Sequence, residues 1–191
     1  MATGRDKFRR IKGLISILVA IHSIFPYSFN LFLIKFFRNT NGKIGLLIRY
    51  VLLKNLTQTC GDNVSIQPGV YLFNLKKMRL GNNVSIHPMC YLDAAGGLEI
   101  GDNVSIAHAS SVMTTNHSWD DVSIPIKYNP ETFAKVKIAD DVWIGSGVRI
   151  LAGVTIAPRC VIAAGAVLNK STESHSVYGG VPAKFIKKIN E

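Results

Sequence analysis

From residue 60 onward the apolar positions of this chain count in sixes. An aliphatic residue, once a cysteine, stands at Cys60, Ile66 and Leu72, then at Leu80, Ile86 and Leu92, then at Ile100, Ile106 and Val112. After an interruption the count resumes at Ile138, Ile144, Ile150, Ile156, Ile162 and Leu168. Six fits neither the roughly 3.6-residue period of a helix nor the alternation of a half-buried strand. It is the period of a parallel β-helix, with one short strand and one corner per hexad and about 18 residues per three-sided coil. A sandwich of ordinary short strands would instead need turn signals every 8–12 residues or so.

The corners agree with the period. The fourth position of many hexads is Asn63, Gly69, Asn83, Asn103, Gly147, Gly153 or Gly165, residues that tolerate the left-handed conformation. The fifth is small or β-branched, as at Val64, Val70, Val84, Val104, Val142, Val148, Val154 and Ala166, and can share the interior with the rung residue. The steps from 60 to 80 and from 80 to 100 are two residues longer than three hexads, which predicts bulges near Lys76–Lys77 and Ala95–Gly96. About five coils result. The step from Val112 to Ile138 carries 20 residues beyond one hexad, so the ladder throws out one long loop, residues 113–136. A histidine, His117, lies near its start.

Residues 1–56 stand outside the ladder. Gly13 to Ile34 contain no Lys, Arg, Asp or Glu, long enough to raise the question of a membrane span. His22, Ser23, Ser28 and Asn30 interrupt the run, and Pro26 is expected to break it into two shorter helices. Eight of the seventeen aromatic residues lie here, with ten Lys or Arg against one acid, Asp6. Three readings follow: helices in the interface of an anionic membrane, a helical cap on the end of the repeat, and a true span, against which the polar residues and Pro26 weigh. No small-x-small cleavage site follows the apolar run, which argues against a secretory signal.

Charge alters the picture less than the total suggests. Of the formal +10, almost all belongs to residues 1–56, and residues 57–191 carry twelve cations against eleven acids. A basic groove for nucleic acid along the repeat is therefore not expected. Three cysteines make a disulfide framework implausible. Cys60 takes a rung, while Cys90 and Cys160 take fifth positions, so all three read as small core residues. The chain is expected in the cytoplasm, with residues 1–56 contacting the inner face of the membrane peripherally.

The run from Val136 to Ile156, VKIADDVWIGSGVRILAGVTI, and the ending Val177 to Lys184, VYGGVPAK, resemble the bacterial hexapeptide-repeat acyltransferases. The resemblance covers about residues 57–191, tail 174–191 included. It is closest to the maltose and galactoside type and to the O-acetyltransferases of surface-polysaccharide gene clusters. It implies an all-β, left-handed parallel β-helix with an N-terminal helical segment, a homotrimer, and acyl transfer from a CoA thioester, acetyl-CoA, without a metal. Ala139 and Ala157 stand where the family usually has glycine after the rung isoleucine, and His87 where some members have an acceptor-contacting asparagine.

Acetyl transfer to a hydroxyl needs a base, an oxyanion donor and a cleft that aligns two substrates. A histidine can take the hydroxyl proton near neutral pH and return it to the thiolate. His117 lies where the family carries its catalytic base. The resemblance places the oxyanion donor on the backbone amide of Ser146; nothing adjacent in sequence supports Ser146 as a nucleophile. Trp143 is expected beside the histidine, shaping the acceptor site. Asp93, Asn116 and Asp120 are candidates to contact the acceptor, against the plainer readings of turn and loop residues. In the family CoA lies in a groove between neighbouring subunits. Ala163, Ala164 and Gly165 would let its pantetheine arm approach there, and Lys184 would meet its phosphates. The polar loop favours a sugar hydroxyl, in a polysaccharide or lipid-linked glycan precursor. An amino-sugar N-acetyltransferase, a serine acetyltransferase and a non-catalytic scaffold are the alternatives. A γ-type carbonic anhydrase on the same fold would need a His-x4-His pair, which His22, His87, His108, His117 and His175 do not form.

Overall fold

The computed structural model describes residues 4–189. The first three residues of the N-terminal segment and the last two of the tail lie outside the described residues. From Thr59 the chain winds as a parallel β-solenoid with three faces. Face A stacks Thr59–Cys60, Met78–Leu80, Leu98–Ile100, Val136–Ile138 and Thr155–Ile156. Face B stacks Ser65–Ile66, Ser85–Ile86, Ser105–Ile106, Trp143–Ile144, Cys160–Ile162 and Ser176–Gly179. Face C stacks Tyr71–Phe73, Tyr91–Asp93, Ser111–Val112, Arg149–Ile150 and Val167–Leu168. Faces A and C carry five rungs and face B six, the last supplied by the tail, so the solenoid has about six turns where the hexad count expects about five. Lys184–Lys188 then folds back antiparallel along that rung.

Register explains the hexads. Ile66, Ile86, Ile106, Ile144 and Ile162 lie one above another, all buried. Each such side chain contributes about 1.5–3 kcal/mol of burial. The fifth-position valines, Cys90, Cys160 and Ala166 fill the remaining interior. Corners are left-handed at Asn63, Asn83 and Asn103 and at Gly69, Gly147, Gly153 and Gly165. The three asparagines also form a ladder, Asn63 Nδ2 donating to Asn83 Oδ1 and Asn83 Nδ2 to Asn103 Oδ1, each at 3.0 Å. The two expected bulges are a short helical turn at Leu75–Lys77 and a tight turn at 95–96.

Three helices precede the solenoid: α1 (Gly4–Ser23), α2 (Tyr27–Phe36) and α3 (Gly42–Leu56). Pro26 separates α1 from α2, standing at the N-cap of α2 with φ −57°. Among the described residues no helix is long and apolar enough to cross a membrane. Helix α3 covers the open end of the first turn, burying Tyr50, Val51, Leu52, Leu53 and Leu56 in the same core as the rungs. Its polar groups finish the backbone it meets: Tyr50 Oη donates to Gly61 O at 3.0 Å, Lys54 Nζ to Cys60 O at 2.6 Å, and Arg49 Nε to Ile66 O at 2.8 Å. Burial under this cap pushes the Cys60 thiol up to about 12, so it stays protonated and inert. Helix α1 is held by Lys12 on Asp62 at 2.6 Å and by Asn55 Nδ2 on Val19 O at 3.1 Å. The Lys12 contact holds the Asp62 carboxyl below its usual range.

The outer sides of α1 and α2 are not covered. Ile11, Leu14, Ile17 and Ile21 on α1, Phe25 in the turn after it, and Phe29, Phe32 and Phe36 on α2 are all exposed. The capping reading of residues 1–56 thus describes α3, while α1 and α2 leave an apolar stripe in solvent.

Candidate active site

The excursion after Val112 is an ordered arm. Thr115–His117 pairs antiparallel with Glu131–Phe133, with His117 opposite Glu131. Its base is latched from inside: the buried Thr114 gives its Oγ1 hydrogen to Asp93 O at 3.0 Å, accepts from Gly96 N at 2.8 Å, and its carbonyl accepts from Ala134 N at 3.0 Å. Lys135, on the returning side, makes an ion pair with Glu99. Farther out, the buried Asn129 spans the tip, accepting from Asp121 N at 3.0 Å and donating to Asp121 O at 3.1 Å. The segment Ser123 to Lys135 is therefore shaped by its own hydrogen bonds.

His117 is about half exposed on this arm, and its Nε2 lies 3.7 Å from Glu131 Oε1. Sequence reasoning missed Glu131. It is 14 residues from His117, and only the antiparallel register places the two opposite each other. Asn129 was missed for the same reason. Asn116 pairs with Thr132 and accepts the Thr132 hydroxyl on its carbonyl at 3.2 Å; Asp120 is exposed farther along. Asp93 ends its face C strand beneath the arm, where its Oδ1 accepts from Asn74 Nδ2 at 2.6 Å and from Ala95 N at 3.0 Å. That carboxylate already closes a turn through its Oδ1.

The remaining candidates gather elsewhere. The arm leaves at the corner between faces C and A, whereas Ser146 sits at the corner between faces B and C. Ala163, Ala164 and Gly165 form the same corner one rung on, and Gly165 N donates to Ser146 O at 2.8 Å. Among the described residues the Ser146 N–H is not used in a hydrogen bond. Gly145 lets the two rungs close: a Cβ there would lie 2.6 Å from Ala164 N. Lys184 is exposed on the returning tail strand, opposite Gly179. Trp143 is exposed on face B, paired with Ser105 and Val161. Within one chain the tryptophan and the arm belong to different faces, so Trp143 can stand beside a histidine arm only across a junction between copies.

A three-faced solenoid of stacked hexads with one extruded arm has the architecture of the hexapeptide-repeat class. The pattern described as bacterial transferase hexapeptide, six repeats, matches residues 135–170. Galactoside O-acetyltransferase of Escherichia coli K12 is 33% identical over 144 residues, 75% of this chain and 70% of that protein. The crystal structure of a galactoside acetyltransferase in complex with coenzyme A is 30% identical, with a TM-score of 0.75 over 84% of this chain and 79% of its own. A hexapeptide-repeat acetyltransferase from Vibrio cholerae, complexed with acetyl coenzyme A, is 27% identical with a TM-score of 0.76, covering 86% and 87%. The chain belongs to the hexapeptide-repeat acetyltransferase family.

Proposed function

We propose that the protein transfers acetyl from acetyl-CoA to a sugar hydroxyl, with His117 as general base. The observation that carries this reading is the pairing of His117 with Glu131 on an arm latched at its base and tip. The acceptor O–H gives its proton to the imidazole as its oxygen bonds to the thioester carbonyl carbon. The C–S bond then breaks, and the CoA thiolate takes the proton back. Glu131, at 3.7 Å, stabilises the imidazolium formed between these steps. The Ser146 amide supplies the oxyanion donor. Ala163, Ala164 and Gly165 form a wall without bulk for the pantetheine arm, and Lys184 is a point charge for the CoA phosphates.

One chain holds the arm and the amide corner apart, which supports a homotrimer in which one copy's arm faces its neighbour's corner. Trp143 and Asp120 then border the acceptor across that junction. The apolar stripe of α1 and α2, with Arg9, Arg10 and Lys35 exposed on the same helices, supports peripheral contact with an anionic membrane on its cytoplasmic side. The acceptor would there be a polysaccharide or lipid-linked glycan precursor.

The test is CoA release from acetyl-CoA across mono- and oligosaccharide acceptors, with product mass. His117→Ala is expected to lose roughly 10²–10⁴-fold in kcat. Glu131→Gln is expected to lose about tenfold in kcat with KM for acetyl-CoA unchanged, since only a charge present during transfer is removed. Undiminished turnover in His117→Ala would end this reading.

A further inference from the structure

A cavity of about 220 Å³ opens over the first rung of face C, between it and α2. Lys35, Arg38 and Arg49 line it, with Ile66, Tyr71 and Phe73 on the solenoid side. No carboxylate lines it, and none of the three cations forms an ion pair among the described residues. Arg49 is only 1% exposed. Its Nε and Nη1 are spent on the neutral carbonyls of Ile66, Phe37 and Thr40. Its Nη2 is buried without a partner, and so is Arg38 Nε. The Arg38 guanidinium lies over the Tyr71 ring, 4.0 Å from the centroid. A buried guanidinium N–H with no acceptor carries its full desolvation penalty until one arrives. Three converging cations with unfilled N–H groups fit a dianionic acceptor with several oxygens, which is the chemistry of a phosphate.

The wall leading away from the cavity suits a sugar. Tyr71, Phe73 and Tyr91 point outward from face C with 39, 39 and 42% of their surfaces exposed. Tyr71 and Phe73 are parallel at 6.5 Å, and Phe73 and Tyr91 are 5.0 Å apart. Exposed aromatic faces beside polar edges offer a stacking surface for the C–H face of a pyranose. Phe73 stands in register with Asp93, whose carbonyl takes the Thr114 hydroxyl at the root of the arm. From the first rung to the third, where the arm departs, is roughly 10 Å along the stack.

We infer that the acceptor is a glycosyl phosphate or pyrophosphate. Its phosphate sits on Lys35, Arg38 and Arg49, its sugar crosses Tyr71, Phe73 and Tyr91, and the hydroxyl to be acetylated lies under His117. This rests on the sugar-acetylation reading above. A soluble sugar phosphate and a lipid-linked one share the chemistry, so the test separates them.

Inorganic phosphate and glucose 1-phosphate are titrated calorimetrically into the full chain and into the double variant Lys35→Gln, Arg38→Gln. The double change gives up one side-chain contact, the Arg38 guanidinium on Tyr71, and leaves the Arg49 bonds to the α2–α3 turn in place; Arg49→Lys is a second variant, expected to weaken phosphate binding likewise. Phosphate is expected to bind the wild type and to bind the double variant roughly tenfold or more weakly. In the CoA-release assay, KM for phosphorylated acceptors should rise in the double variant while kcat and KM for plain sugars stay put. If that difference appears with glucose 1-phosphate, the source is soluble. If it appears only with a polyprenyl-pyrophosphate-linked sugar in phosphatidylglycerol vesicles, the source is lipid. No phosphate binding, or equal KM values in both proteins for every phosphorylated acceptor, overturns the inference. Absence of CoA turnover with any acceptor would instead sink the catalytic reading, and the phosphate titration would still report on the cavity.

Discussion

At most corners of the ladder the fourth position of the hexad turns the chain through the left-handed region whatever residue stands there. Asn63, Asn83 and Asn103 accept that conformation readily, but Met89, Ala109, Asp141 and Arg159 hold φ between 55° and 63° at equivalent positions. The backbone is thus set by the stack above and below, and the side chain bears the strain. Met89 is the most informative case because it is largely exposed and stands one rung above Gly69, a residue suited to the same turn. Met89→Asn is expected to raise unfolding stability by roughly 0.5–1 kcal/mol, measured by chemical denaturation, as a tolerant residue replaces a strained one. A loss of stability would mean that packing of the Met89 thioether over Gly69 outweighs the strain.

At the scale of elements, what could be read from the sequence divides by periodicity. The rungs, the valine layer, both bulges and the site of the arm follow from counting, because each repeats a local pattern at a fixed interval. The partner of His117 does not: Glu131 meets it through an antiparallel register that no periodicity encodes. The sixth rung escaped for a related reason, since Tyr178 lies over Ile162 after 16 residues rather than 18 and the tail carries no sixfold aliphatics. Composition alone could not assign α3 to the cap and α1 and α2 to an open stripe, because all three helices are apolar and basic. The stripe makes its own prediction. The full chain should sediment with phosphatidylglycerol vesicles and much less with phosphatidylcholine, and the bound fraction should fall with salt. Phe29→Glu with Phe32→Glu, both at exposed positions, should stay in the supernatant. If the variant changed only the oligomeric mass and bound vesicles as before, the stripe would be a contact between copies.

For the whole molecule, the separation of groups within one chain has a stringent consequence. His117 is carried on the corner between faces C and A, and the Ser146 amide and small-residue wall on the corner between B and C. If each site is built from one copy's arm and the next copy's corner, two different inactive variants must repair one another when assembled together. His117→Ala removes the imidazole and leaves the corner intact. Ala164→Trp fills the exposed corner and leaves the arm intact. Each alone is expected to lose nearly all CoA release. Co-expressed and purified as mixed assemblies by two different tags, they should recover about a third of wild-type turnover, since every mixed trimer, of either composition, joins an intact arm to an intact corner at one of its three junctions. Mixing the two after separate purification, without exchange of subunits, should recover nothing. A site contained within a single chain predicts no recovery in either case, so the co-expressed assemblies alone decide between the two arrangements.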